Sequence, residues 1–161
     1  MTTTYIALAQ TTLSSATSAV TFSSIPATYR DLVIVVNGST GSNSLVWSRI
    51  NGDTGTNYGY VVMAGANTAY SGSGTFNVAY LSDATVTANS RIMIQYSIMD
   101  YSATDKHKTA LVRSNSEFAG GSGVYASAHR WANTNAVTSV SVNTNTGTWN
   151  TGTTFSLYGV N

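Results

Sequence analysis

The sequence predicts an all-β protein, an antiparallel β-sandwich of jelly-roll type. Three observations carry that expectation. Apolar side chains recur at every second position, most clearly at Ile92, Ile94, Tyr96 and Ile98, and a two-residue period belongs to a pleated strand. Such runs are short and separated by Asn-Gly, Ser-Gly and Pro-containing turn segments, the spacing of a sandwich or barrel. No window of a dozen residues keeps apolar positions at three-and-four spacing, and the abundant Thr, Val and Gly are poor helix formers, so helix should stay below about 10%.

In chain order, Ile6 and Leu8 alternate with Ala7 and Ala9, and a second short strand carries Val20 and Phe22. The only proline, Pro26, cannot donate to a ladder and marks a turn or strand end. Leu32 to Val36 is apolar on both faces, the pattern of a strand covered on both sides. Asn37-Gly38 is expected to close it, and Asn51-Gly52 to close a strand over Leu45 to Ile50, because Asx-Gly pairs supply the positive φ of tight turns. Tyr60 to Met63 and Phe76 to Leu81 read as strands flanking a Ser-Gly-Ser-Gly loop at 71 to 74, and a second Gly/Ser-rich loop tip is expected at 120 to 123. The centre of the sheet is the hairpin from Arg91 to Arg113, whose arms enclose a polar connection, Ser102 to Lys108. Val124 to Trp131, Val137 to Val142 and Phe155 to Val160 complete ten or eleven strands in a single domain, 1–161.

Composition narrows the function. The 161 residues suffice to bury a core without staples, and no cysteine is present, which excludes disulfides and Cys-based zinc sites. Only 8% of residues are charged and the net charge is +1, so no basic stripe could neutralise a row of phosphates and no nucleic-acid partner is expected. The N-terminus lacks the basic region of a signal peptide and no apolar run reaches the ~18 residues of a membrane helix, so a soluble protein without a membrane partner is expected.

No catalytic constellation can be assembled. Asp53-Thr54-Gly55 matches the aspartic-protease triplet, but that chemistry needs two carboxylates sharing a proton and no second copy exists. His107 and His129 lack a His partner at helical spacing and a nucleophile elbow, and His107 lies between two lysines. The aspartates 31, 53, 83, 100 and 105 show no calcium-loop spacing. The expectation is a protein that is no enzyme and needs no cofactor or metal. Trp47, Trp131, Trp149 and the ten tyrosines divide between core packing and contacts with subunits or glycans.

One region stands out for charge. Six of the thirteen charged residues lie on the central hairpin: Arg91, Asp100, Asp105, Lys106, Lys108 and Arg113. Charges are sparse elsewhere, so Asp100, Asp105, Lys106, His107 and Lys108 form the expected site of directional recognition. Met1, Thr2, Thr3 and Thr4 make a polar arm able to order against a neighbouring subunit.

Several stretches together resemble one family. Thr3 with Tyr5 to Ala9, Ser24 to Leu32, Asn51 to Tyr58, Met99 to Ser102, Lys106 to Arg113, Arg130 to Thr134 and Thr154 to Val160 are similar to small virion structural proteins of tailed bacteriophages, notably cyanophages. The resemblance weakens at about 65 to 90 and 116 to 128. It implies a place in the virion, a capsid decoration or cement protein on the outer head surface, with the major capsid protein and further copies of itself as partners, as a trimer. It carries no catalytic residue. The alternative it leaves open is a tail-fibre or host-recognition subunit with a glycan-binding sandwich.

Overall fold

The structure, a computed structural model, describes residues 4–65, 69–118 and 121–161. These residues form β1 (Tyr5–Thr12), β2 (Ala19–Phe22), β3 (Asp31–Ser39), β4 (Val46–Ile50), β5 (Tyr58–Gly65), β6 (Ala69–Phe76), β7 (Ala79–Tyr80), β8 (Arg91–Met99), β9 (Lys108–Phe118), β10 (Gly121–Trp131), β11 (Val140–Thr144) and β12 (Thr154–Val160). No helix occurs among the described residues. All pairings are antiparallel, in an eight-stranded sheet ordered β1-β12-β3-β8-β9-β10-β5-β6 and a four-stranded sheet ordered β2-β11-β4-β7.

The topology resolves into a jelly roll with two insertions. Setting aside β5, β6, β9 and β10 leaves the neighbours β1·β12, β2·β11, β3·β8 and β4·β7. That is one long hairpin whose successive rungs alternate between the two sheets, the wrap of a jelly roll. The hairpins β5-β6 and β9-β10 both join the same sheet beyond β8, which doubles its width on one side only.

The sandwich closes because each strand presents its apolar alternation inward. Leu32, Ile34 and Val36 of β3 and Ile92, Ile94, Tyr96 and Ile98 of β8 meet Val46 and Ile50 of β4 and Val140 and Val142 of β11 in one continuous core. Each such side chain, taken fully from water, contributes about 1.5–3 kcal/mol. Trp149 stands edge-on to Phe155 at 5.2 Å and fills one end of that core.

Both arms of the central hairpin are interior strands, and β3 is covered on both faces at its start as expected, with Leu32, Ile34 and Val36 inaccessible on one face and Val33 buried on the other, where Val35 is half-buried. Four local expectations are corrected. The Ser-Gly-Ser-Gly segment is part of β6, paired in register with β5; Gly72 and Gly74 face inward, and a Cβ at Gly74 would lie 2.5 Å from the Phe76 ring. Asn37-Gly38 does not end β3, which runs to Ser39, because a bare Cα at 38 accommodates Thr153, whose side chain would sit 2.3 Å from a Cβ. The expected strand over Phe76 to Leu81 is divided between the two sheets, since β6 ends at Phe76 and β7 spans only Ala79–Tyr80. Residues 121 to 123 open β10, and 119 and 120 lie outside the described residues. Asn51 (φ 52°) and Gly52 (φ 67°) do form the expected left-handed turn.

Glycine at 159 is a tight-packing position. A Cβ there would stand 2.4 Å from Cγ of Tyr29, at the root of the ring where the side chain cannot swing away, whereas one at Gly59 would meet nothing within 4 Å. Gly159→Ala is expected to cost about 1–3 kcal/mol by overpacking, and Gly59→Ala to stay within about 0.5 kcal/mol. Urea unfolding of both variants checks this, and equal losses would contradict the packing account.

Candidate interaction site

The charged connection between β8 and β9 is a folded turn. Asp100 adopts φ 45°, and its amide donates to Oδ1 of Asp31 at 2.8 Å. Its carboxylate lies between two cations, 3.8 Å from Arg30 Nε and 3.3 Å from Lys106 Nζ. Tyr101, fully buried, donates its hydroxyl to the Pro26 carbonyl and accepts from the Tyr29 amide at 3.4 Å, which pins the turn to the β2-β3 connection. Asp105, Lys106 and His107 are exposed at the tip.

Lys108 does not join them, which corrects its expected place in the surface cluster. It is the first inward-facing position of β9 and is 1% exposed; its ammonium donates to the carbonyls of Lys106 at 3.0 Å and Thr134 at 3.2 Å. Burial pulls its pKa below the usual lysine value. Of the arm residues, Met1, Thr2 and Thr3 lie outside the described residues, and Thr4 is the exposed lead into β1.

The larger feature is one the sequence reading missed: the outer face of β8 and the inserted strands β9, β10 and β5. Met63 is 66% exposed, Val124 64%, Val61 55%, Met93 55% and Leu111 46%. Strand register sets them in three rows across β5, β10, β9 and β8: Val61-Ala128-Leu111-Ser97, Met63-Ala126-Arg113-Gln95 and Gly65-Val124-Asn115-Met93. The second and third rows line a shallow trough of about 700 Å³, and the first row borders an adjoining hollow of about 470 Å³. At the centre of the face Arg113 donates from Nη2 to Oε1 of Gln95 at 2.9 Å, and no carboxylate comes within ion-pair distance of it among the described residues. The signal was present as alternation in both arms, but an apolar residue on the outward phase of a strand looks like part of a two-sided core until the second sheet is placed.

Beneath the inserted strands the inner face is mixed, with Ser114, Ser116, Tyr125 and His129 buried beside Val62, Ala64, Ala110 and Val112. The segment from Asn77 to Ser90 covers it, with Leu81 and Val86 buried and the Thr87 amide donating to the Glu117 carbonyl at 2.7 Å. Asp83 accepts from the hydroxyls of Tyr60, at 2.8 Å, and Tyr70. Burial, reinforced by the Asp83 carboxylate, pushes the Tyr60 phenol up to about 12. His129 stacks on Tyr60 with ring centres 5.7 Å apart, and its Nε2 lies 2.9 Å from Ser127 Oγ. Its buried Nδ1 has no hydrogen-bond partner among the described residues. This is a Ser–His contact without an acid to orient the imidazole, since the only carboxylate of the cluster is held by two tyrosines.

Asp53 is likewise structural. Burial works to raise its pKa, but hydrogen bonds from Trp131 Nε1 (2.7 Å), Asn57 Nδ2 (2.9 Å) and the Gly55 amide (2.8 Å) outweigh it and hold the carboxyl below 3.8. It ties the turn after β4 to the end of β10. No group of three His, Asp or Glu side chains that could hold a metal occurs among the described residues.

Burial depresses the His129 imidazole from 6.5 to about 4. Between those values the unfolded chain carries a proton that the folded chain does not, so acid favours unfolding; stability should fall by up to about 3 kcal/mol as pH drops from 6.5 to 4 and level off below. Urea titrations across that range check it: His129→Phe should flatten this step, and an unchanged step would contradict the assignment.

No protein-family model matches the chain, and no curated protein or solved structure matches it.

Proposed function

We propose that this chain is a structural protein of a virus particle, a decoration protein that self-associates and binds the major capsid protein on the outside of a tailed-phage head. The observation that carries the reading is the exposed apolar face of β5, β10, β9 and β8, five large apolar side chains gathered on a protein of very low charge. Contiguous apolar surface of this kind marks a protein contact. The tip residues Asp105, Lys106 and His107 add a small polar element, suited to register on a lattice more than to affinity. The jelly-roll wrap agrees with a particle role, because both insertions enlarge one flat face and leave the other sheet small.

A second reading, a host-recognition subunit that binds glycans, has one feature in its favour. Trp47, Tyr80, Asn77 and Asn145 line a hollow of about 220 Å³ on the four-stranded sheet. The Arg49 guanidinium, however, stacks 4.6 Å from the centre of the Trp47 ring and occupies the face a sugar would use.

Co-sedimentation with purified heads built from the cognate major capsid protein tests the first reading. The protein is expected to pellet with heads at saturating stoichiometry. A variant carrying Asp105→Ser, Lys106→Ser and His107→Ser should bind about tenfold more weakly with a Tm within about 2 °C of the parent. Protein that stays in the supernatant, together with specific signals on a glycan array, would replace this reading with the second.

A further inference from the structure

We propose that a second copy of this chain adds to the free edge of β1, with the two β1 strands antiparallel about a two-fold axis that pierces the sheet between Leu8 and Ala9. The two sheets end in four edge strands, β1 and β6 on the larger and β2 and β7 on the smaller. An unpaired edge offers a row of amides and carbonyls to any strand that fits it. β2 and β7 are guarded by their shortness, four and two residues. β1 and β6 run for eight residues each without a charge or a proline. In β6 the inward phase includes Gly72 and Gly74, so little fixes the register of a strand added there. β1 is the edge with side chains to offer. All its residues but Leu8 are exposed, Tyr5 by 57% and Ile6 by 37%, and no strand but β12 pairs with it among the described residues.

The phase of β1 makes it complementary to itself. It pairs with β12 through a bulge: Ala7 lies opposite Tyr158 and Ala9 opposite Leu157, with Leu8 the extra residue. Phe155 and Leu157 belong to the core, so Thr11 and Ala9 opposite them face inward, as does Ile6 opposite Gly159. Leu8, packed against the core, faces inward too. Tyr5, Ala7, Gln10 and Thr12 face outward, and the Tyr5 ring stands edge-on to Tyr158 at 6.3 Å. Both sets are symmetric about the midpoint of Leu8 and Ala9. A two-fold axis there sets Tyr5 opposite the partner's Thr12, Ile6 opposite the partner's Thr11, Ala7 opposite the partner's Gln10 and Leu8 opposite the partner's Ala9. Every pair then shares a face. In an unbroken strand residues 5 and 12 would point to opposite faces, and this axis could not exist. A regular strand added here would need the same irregular register that β12 shows, whereas a second β1 matches residue for residue.

Eight residues at about 3.4 Å give about 27 Å of edge. Edge pairing covers less surface than a standard interface, so the pair is weak and reversible in solution, and a lattice that raises the local concentration fills it. It supplies the contact behind the self-association in the assembly reading, and it is measured without any capsid. A two-fold pair takes the place of the trimer that the resemblance implies.

The chain has no cysteine, so single introduced thiols report the register. Ile6 and Thr11 are exposed. Opposed residues of an antiparallel pair lie about 4.5–5.5 Å apart at Cα, inside the disulfide range of about 4.4–6.8 Å. An equimolar mixture of Ile6→Cys and Thr11→Cys chains, held at about 1 mM with oxidised glutathione, should yield about tenfold more disulfide-linked dimer than either variant alone. Like thiols lie about 17 Å apart across the axis. Adding Ala7→Lys and Gln10→Lys to both chains sets like charges opposite each other and should cut that yield about tenfold. Tm should stay within about 2 °C, since both positions are exposed in the isolated chain. No linked dimer from the mixture, equal yields from the mixture and the single variants, or a yield unchanged by the two lysines overturns the pairing. Sedimentation that shows growth beyond a dimer, the product of β1 adding to β6, also overturns it. A linked dimer from a chain that ignores phage heads leaves the pairing standing and removes the capsid reading instead.

Discussion

The structure depends on one burial event, the inner faces of β3 and β8 closing against β4 and β11. Ile34, Ile94 and Tyr96 on one side and Val46, Ile50, Val140 and Val142 on the other are at most 1% exposed, and every other layer is placed relative to them. Charges contribute little to this. The three ion pairs among the described residues all lie at the Arg30-Asp100-Lys106 corner and are partly solvated, where such pairs are worth under about 1 kcal/mol.

From that closure follows the division of labour in the larger sheet. Four strands cannot cover eight, so the inserted hairpins must find other partners for both of their faces. Inward, the strands meet a connecting segment, and a connecting segment brings backbone and polar side chains with it. Serines, tyrosines and a histidine therefore join the buried Val62, Ala64, Ala110 and Val112 there, with Asp83 tethered between Tyr60 and Tyr70. Outward they carry Val61, Met63, Leu111 and Val124, which no described residue covers. The two features have a common origin in a topology that widens one sheet alone.

Much of this was legible in the sequence. The two-residue period over Arg91 to Arg113 placed β8 and β9 correctly at the interior of the sheet, because alternation survives in strands that pair on both sides. The segment at 71 to 74 was not legible, since Ser-Gly-Ser-Gly has the local preferences of a loop, yet it pairs in register with β5 and its Gly74 admits the Phe76 ring. Gly38 misled in the same way. Lys108 was read as part of a surface charge run, yet its position on the inward phase of β9 buries it, and two backbone carbonyls satisfy the ammonium. The apolar outer face was invisible because alternation alone does not say which phase of a strand faces the second sheet.

The central claim is that the jelly-roll closure is the stable unit and that the outermost strands are held by one neighbour only. Native-state amide hydrogen exchange tests it most directly. The account predicts that amides of Ile34, Ile94 and Tyr96 exchange only through global unfolding. Those of β6, an edge strand exposed along much of its length, should exchange through local opening at least about 2 kcal/mol lower in free energy. Equal protection of β6 and β8 at a dilution where the chain is monomeric would contradict it.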